Sequence, residues 1–215
     1  MSSSRRKPRL LRLYHRYLDD QQVASFMLDV ADHYAYATLE RMAGSNDPEL
    51  RRAAVLALGL LGTHRQCAAI GRALNDPDRA VRLVADQSLR DLRGRGRNDD
   101  QRRQIAIIRR RFENCEFLAA LNLASDFVFS DRGLAEAWHL RAEIRFALHS
   151  FRHAARDAAR ALRLDRYHDS AAVILGRSQL ALGQESLALR SFHRALRINP
   201  DLEQIRLHVR RLQQD

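Results

Sequence analysis

The stretch that decides the fold runs from Ala135 to Pro200 and reads AEAWHLRAEIRFALHSFRHAARDAARALRLDRYHDSAAVILGRSQLALGQESLALRSFHRALRINP. It repeats itself with a period of 34 residues, so that small and large apolar residues recur at matching places in its two halves. Spacings of three, four and seven residues put each set on one face of a helix. The small residues let two antiparallel helices approach closely and the large ones fill the remaining space. The stretch therefore predicts an array of helical hairpins.

The repeat resembles the tetratricopeptide (TPR) pattern, which also has a 34-residue period. The unit 169–202 occupies almost every signature position, with Leu175, Gly176, Leu180, Gly183, Ala188, Phe192, Ala195 and Pro200. The units 135–168 and 101–134 match it less completely. In the unit 169–202, Gly183 suits the left-handed residue that ends a helix. The resemblance implies about three hairpins over residues 101–202.

A second repeat, with a period of 31 residues, precedes the first. The sequence DPELRRAAVLAL at 47–58 recurs as DRAVRLVADQSL at 78–89, with an Asp and an Arg at the same places in both copies. These residues are Asp47 with Arg51 and Asp78 with Arg82. This arrangement of Asp, Arg and apolar residues resembles the short HEAT-like repeat, in which the Asp and Arg side chains bridge successive repeats. The resemblance covers about residues 20–92, with hairpins of 20–43 with 48–61 and of 64–74 with 78–92.

These patterns predict an all-α fold, an α-solenoid of helical hairpins with a C-terminal capping helix. The run from Arg93 to Arg97 marks a boundary, because two glycines among charged residues hold a helix poorly. Asp201 and Gln204 resemble a capping box at the start of the last helix. Residues 9–18 predict neither a helix nor a strand. The segments are a basic tail and lead-in at 1–18, a HEAT-like segment at 19–92, a linker at 93–99 and a TPR-like segment at 100–215 with the capping helix at 201–213.

The composition points to a cytoplasmic protein of a bacterium with a GC-rich genome. Of the 37 basic residues only Lys7 is a lysine, and the net charge of +11 is spread along the chain. That bias is typical of codon usage and weakens a nucleic-acid reading. No apolar run approaches the roughly 18 residues that span a bilayer. Cys67 and Cys115 match no ligand spacing, which favours free thiols in a reducing compartment.

No motif in the sequence predicts catalysis, a metal or a cofactor. The chain has no His-Glu-x-x-His, no phosphate-binding glycine loop and no paired-cysteine motif. His149 and His153 are four residues apart, but they straddle the predicted turn between two helices. We therefore expect a protein without enzymatic activity.

The TPR resemblance places the binding site in the concave groove that is lined by the first helix of each hairpin. The partner would be a protein or peptide segment, which the arginines predict to be acidic. The candidate groove residues are Arg109, His139, Glu143, Arg177 and Arg211. The chain is therefore predicted to be a scaffold or adaptor.

The alternative is nucleic-acid binding, as in HEAT-like proteins that hold DNA on a basic face. It requires a continuous exposed stripe of arginines and an affinity that falls steeply with salt. The residues that would form the stripe are Arg51, Arg82, Arg93, Arg95 and Arg97.

Overall fold

The computed structural model describes residues 8–96 and 98–214 of the chain. These residues form thirteen α-helices and no strand, which confirms the predicted all-α fold of helical hairpins. None of these helices is long and apolar enough to cross a membrane. In chain order the helices are α1 (Arg9–Asp20), α2 (Val23–His33), α3 (Tyr36–Met42), α4 (Pro48–Leu61), α5 (Cys67–Ala73), α6 (Arg79–Arg95), α7 (Asp99–Glu113), α8 (Phe117–Ser130), α9 (Ala135–Ala147), α10 (Phe151–Leu164), α11 (Asp169–Ala181), α12 (Glu185–Ile198) and α13 (Glu203–Leu212).

The chain separates into two compact units, Met1–Leu92 and Arg93–Asp215. In the first unit, residues 9–18 belong to a helix, although the sequence pattern predicts no structure there. Helix α1 forms because its apolar side chains lie on one face and become buried, and it contacts α2 and α4. The buried residues of this face are Leu10, Leu11, Leu13 and Tyr14.

The single helix predicted over 20–43 is wrong. Helices α2 and α3 are separated by Tyr34 and Ala35, which both have extended backbone conformations. Each of the two helices contacts α4. The break allows Phe26 on α2 and Leu39 on α3 to be buried, each on the inner face of its own helix.

Arginine–aspartate contacts join the HEAT-like repeats, as the resemblance implies, but the partners differ from those in the motif. Arg51 donates two hydrogen bonds to the Asp76 carboxylate, from Nε at 2.6 Å and from Nη2 at 2.7 Å. Asp78 accepts hydrogen bonds from the backbone N–H groups of Ala80 and Val81 at the start of α6, and Arg52 Nη2 lies 3.4 Å from the same carboxylate. The contacts between repeats therefore use both Asp76 and Asp78, bound by Arg51 and Arg52.

The second unit contains three successive hairpins, α7 with α8, α9 with α10 and α11 with α12, followed by α13. Its backbone repeats with the 34-residue period. Two residues after the last residue of each first helix, the backbone adopts a positive φ, and the N–H of the following residue donates to the carbonyl five residues before it. The residues with positive φ are Cys115 (φ 61°), His149 (φ 57°) and Gly183 (φ 72°). The three hairpins therefore share one helix ending.

Two boundaries near the ends of this unit differ from the sequence-based prediction. Helix α6 continues through Arg93 to Arg95, so the predicted linker 93–99 begins as helix. Helix α13 begins at Glu203, and its N-cap residue Leu202 makes no side-chain capping bond. The capping box predicted at Asp201 is therefore wrong, because the Asp201 N–H is bonded to the Asn199 side chain at 3.1 Å. Ile205 and Val209 of α13 pack against Ala188 and Phe192 of α12 and cover that core.

Candidate functional site

A cavity of about 480 Å³ lies between α9, α11 and α13, and we call it the groove pocket. Three adjacent first helices line it because the 34-residue repeat brings equivalent positions side by side. His139 and Glu143 are one turn apart on α9, and Ser170, Val173, Ile174 and Arg177 follow one face of α11. The full lining is His139, Glu143, Ser170, Val173, Ile174, Arg177, Asp201, Leu202, Glu203, Gln204 and Ile205.

The charges in the groove pocket are mostly negative. The lining contains the carboxylates of Glu143, Asp201 and Glu203 and one guanidinium, that of Arg177. Glu203 forms an ion pair with Arg206, whereas Glu143 has no arginine or lysine partner within residues 8–96 and 98–214. The pocket lining therefore combines an apolar surface with more carboxylates than guanidinium groups, and two of its acidic residues, Glu203 and Asp201, have contacts of their own.

Beside the pocket lies a buried polar group that we call the Glu136 cluster, formed by Glu136, His139 and His168. Only 2 % of the Glu136 side chain is exposed. One of its carboxylate oxygens accepts a hydrogen bond from Arg109 Nη2 at 2.6 Å, and the other lies 3.3 Å from His168 Nε2. The His139 and His168 rings are 4.4 Å apart between centroids. The cluster thus joins side chains from α7, α9 and the residue before α11.

His139 is the member of the cluster whose hydrogen-bonding capacity is unused. Both of its ring nitrogens are buried and have no hydrogen-bond partner among the described residues. Its Nδ1 lies 3.9 Å from Glu136 Oε1, which is too far for a hydrogen bond. Because His139 also lines the groove pocket, a group that enters the pocket could supply the missing partner.

The cluster holds its members in different protonation states. Burial raises the pKa of Glu136, but the neighbouring imidazoles outweigh this effect and hold that pKa well below its ordinary value. Burial, Arg93 and His139 together lower the pKa of His168 to about 4. Burial also lowers the pKa of His139, but the carboxylates of Glu136 and Glu143 outweigh it, so that pKa is raised. At neutral pH Glu136 is therefore ionised and His168 is neutral.

The atom positions alone would admit a metal ion, since one ligand atom from each cluster residue lies within 4.8 Å of the others. The hydrogen bonds argue against one. His168 Nδ1 accepts the backbone N–H of Ala171 at 3.3 Å, which leaves the ring proton on Nε2, facing Glu136. A metal on Nε2 would force that proton onto Nδ1, against the Ala171 N–H. The cluster therefore fits a hydrogen-bond network better than a metal site.

Arg93 closes the network from the start of this unit. In two of the three hairpins, polar side chains join the first and thirty-first residues of the repeat. These pairs are Gln101 with Asp131 and Asp169 with Asn199, each at 3.0 Å. The middle hairpin has Ala135 at the first position, and its Asp165 is bound instead by Arg93 Nη2 at 3.0 Å. Burial lowers the pKa of Arg93, but Asp165 and Asp169 outweigh it and raise that pKa.

The structure brings together three of the five residues predicted for the groove. His139, Glu143 and Arg177 line the groove pocket. Arg109 lies on α7 and is bonded to Glu136. Arg211 is exposed on α13 and does not line the pocket. The role of these residues in binding stays a prediction.

The arginines of the nucleic-acid alternative do not form the predicted exposed stripe. The side chains of Arg51 and Arg93 are 12 % and 8 % exposed and bind aspartates within their own units. Arg82 donates hydrogen bonds to the carbonyls of Asp76 and Pro77. Arg95 is the half-buried last residue of α6, and Arg97 lies outside the described residues.

Sequence reasoning missed Glu136 and His168 as members of a buried site. A usable signal was present, because Glu136 and His139 are three residues apart on one face of α9. His168 directly precedes α11, the first helix of the last hairpin. In such a repeat the start of this helix lies beside α9, the first helix of the middle hairpin. Comparing the positions of His139 and His168 within their repeats would have predicted that the two side chains lie close together.

Comparison with known proteins supports the helical-repeat character of the chain. Residues 10–90 match the family profile described as HEAT repeats. No curated protein matches the sequence. A solved structure described as the TPR2AB-domain:pHSP90-complex of yeast Sti1 is similar over 95 % of each chain, with 13 % identity and a TM-score of 0.46. A score this low assigns no fold, so the repeat architecture rests on the helices themselves and on the HEAT match.

Proposed function

We propose that this chain is a non-enzymatic protein-interaction scaffold that binds a segment of a partner protein in the groove pocket. In this proposal residues 20–92 are HEAT-like repeats and residues 101–202 are TPR-like repeats. Helical repeats of these kinds present extended surfaces built from equivalent positions of successive hairpins. The family matched over residues 10–90 is a repeat family and names no enzyme.

The groove pocket is the observation that carries the proposal. Its volume of about 480 Å³ can accept large side chains, and Val173, Ile174 and Ile205 give it apolar walls. His139 adds two buried nitrogens without a partner among the described residues. An apolar pocket with a few polar groups is the usual form of a specific binding site.

The partner predicted from the sequence was acidic, but the pocket favours a basic side chain. Arg109 is already engaged by Glu136, and the pocket lining contains three carboxylates beside the single guanidinium of Arg177. We propose that a lysine or arginine of the partner extends its aliphatic stem along the apolar wall and places its charge beside Glu143.

We also propose that the protein is located in the cytoplasm of a bacterium. The free thiols Cys67 and Cys115 fit a reducing compartment, and the arginine bias fits a GC-rich bacterial genome.

Selection of binding sequences from a random 12-residue peptide display library, with the purified chain as bait, tests the proposal. We expect the selected peptides to share a basic residue flanked by apolar ones. Titration calorimetry with the best peptide should show about tenfold weaker binding to the Glu143→Gln variant.

The matched control is Glu185→Gln, which makes the same charge change on the exposed surface of α12. It should leave the affinity unchanged. Selection of no consensus, or an equal loss in both variants, would refute binding in the groove pocket. If the selected peptides share an acidic residue and Val173→Asp still abolishes their binding, the groove pocket remains the binding site. The proposed preference for a basic residue would then be wrong.

A further inference from the structure

The second helix of the middle hairpin carries a row of arginines without acidic partners. Arg156, Arg160 and Arg163 follow one face of α10 at spacings of four and three residues. None of them forms an ion pair within residues 8–96 and 98–214. The one acid of this helix, Asp157, is buried and bound by Arg141 at 2.7 Å and by Arg145 at 2.6 Å. The positive charge of the row is therefore uncompensated within its helix.

The same spacing of arginines recurs one repeat later, although Arg197 there has a contact of its own. Arg190, Arg194 and Arg197 on α12 stand 34 residues after the arginines of α10. Arg194 Nη2 donates to the carbonyl of Leu162 at 3.4 Å, so the middle of α12 lies beside the end of α10. Glu185, in the first turn of α12, is the one acid of that helix. We call these six residues the arginine rows.

Trp138 adds an aromatic ring to this surface. The residue is half-buried: it packs in part against the apolar core of this unit and borders a second cavity of about 480 Å³ with Arg156, Arg160 and Arg163. The guanidinium carbon of Arg141 lies 4.9 Å from the centre of its ring and that of Arg160 lies 5.9 Å away. Both guanidinium groups lie over the ring, so a base that stacks on Trp138 must displace one of them, and Arg160 is the more distant of the two.

We propose that the arginine rows and Trp138 form a binding surface for single-stranded nucleic acid. Successive arginines of a row are about 6 and 4.5 Å apart along the helix axis, close enough to contact neighbouring phosphates. An aromatic ring beside a basic track is the combination that binds single strands, because unpaired bases stack on the ring. This surface is separate from the groove pocket and does not depend on the proposed partner peptide.

The other polyanions fit the surface less well. An anionic membrane is bound by helices that present apolar side chains beside their basic ones. Helix α10 has no exposed large apolar residue, and α12 has one, Leu187, which is 37 % exposed. Double-stranded DNA would meet the arginines but would offer no unpaired base to Trp138.

Fluorescence anisotropy with a labelled 20-nucleotide oligo(dT), over a series of salt concentrations, tests the proposal on the full chain. Replacing Arg156, Arg160 and Arg163 together by Gln should weaken binding at least about tenfold at 100 mM salt. It should also reduce the slope of log affinity against log salt by about 2, since each lost phosphate contact contributes about 0.7. Trp138 is the only tryptophan in the chain, so its fluorescence should be quenched on binding.

The matched control replaces Arg41, Arg72 and Arg79 by Gln. These residues are exposed, form no ion pair within residues 8–96 and 98–214, and give the same change in net charge. The control should keep the affinity and the salt slope. Equal losses in both triple variants would overturn the proposal in favour of general charge attraction. Equal affinity for a duplex of the same length without quenching of Trp138, or preferential binding to anionic vesicles, would also overturn it.

Discussion

The backbone of Gly176 on α11 lies against the ring of Phe192 on α12, so closely that a Cβ atom at residue 176 would be 2.5 Å from the ring atom Cε1. In the preceding hairpin the same two places are held by Ala142 and Ala158, which are both fully buried. The absence of a side chain on one helix is thus matched by a large one on its neighbour. In each of these hairpins the two residues together let its two helices pack closely.

Gly176→Ala should destabilise the chain by about 1–3 kcal/mol, because the added methyl group has no room beside Phe192. Urea unfolding followed by circular dichroism measures the change. Gly94→Ala is the matched control, since a Cβ there meets no atom within 4 Å. The double variant Gly176→Ala/Phe192→Leu should lose less free energy of unfolding than the sum of the losses in the two single variants. Strict additivity would show that the two residues do not compete for the same space.

Cys115→Gly should stabilise the chain by about 0.5–1 kcal/mol. Cys115 has a φ of 61°, a left-handed conformation that glycine adopts without strain and that the last hairpin provides at Gly183. Thermal unfolding of the wild type and the variant measures the gain. Cys115→Ala removes the thiol but keeps the strain, so it should give no gain. Equal stabilisation by both variants would assign the effect to loss of the sulfur.

The sequence predicts those features of the fold that residue types and their spacing encode, and it does not predict those that contacts between helices impose. The 34-residue period predicts the hairpins of the second unit, and Gly183 indicates where one first helix ends. The same ending at Cys115 and His149 could not be predicted, because the surrounding hairpin imposes a conformation that these residue types disfavour. Helix α1, by contrast, was predictable, since Leu10, Leu13, Tyr14 and Tyr17 are spaced three and four residues apart, as on one face of a helix.

The candidate site is predictable in part. The TPR resemblance identifies His139, Glu143 and Arg177, which do line one cavity. It does not predict a buried Glu136, because an ionised carboxylate is normally exposed unless several partners converge on it. Those partners come from other helices and from a residue 32 positions away, so they emerge only from the packed structure.

The stability of the second unit should fall as the pH drops from about 6.5 to about 4. The folded chain holds the pKa of His168 near 4, whereas the unfolded chain binds a proton at the ordinary value of about 6.5. The stability that His168 gives is therefore present above pH 6.5 and is lost on acidification, by up to roughly 3 kcal/mol. The raised pKa of His139 acts in the opposite direction and reduces the net loss.

Urea unfolding at pH 7, 5.5 and 4.5 measures this dependence. His168→Asn should flatten the acid slope, because asparagine can still cap α11 but does not titrate. His193→Asn, at an exposed site on α12, is the matched control and should leave the slope unchanged. An unchanged slope in the His168 variant would show that this imidazole is not held neutral.

Zinc should not bind tightly to the Glu136 cluster. The tautomer of His168 is fixed by the Ala171 N–H, and Arg109 occupies an oxygen of Glu136. Titration calorimetry with zinc at pH 7 should therefore give no micromolar site. A stoichiometric site that is lost in both His139→Ala and His168→Ala would contradict the hydrogen-bond assignment and establish a metal centre.

The most direct test of the proposed function is a chemical-shift map of the peptide-bound chain. The ¹⁵N-labelled protein is titrated with the basic peptide obtained from the display library, and amide shifts are followed residue by residue. The account predicts that the largest shifts cluster at the groove pocket, around His139, Glu143, Val173, Arg177 and Gln204. Shifts centred instead on the arginine rows, or on the unit that ends at Leu92, would contradict binding in the groove pocket.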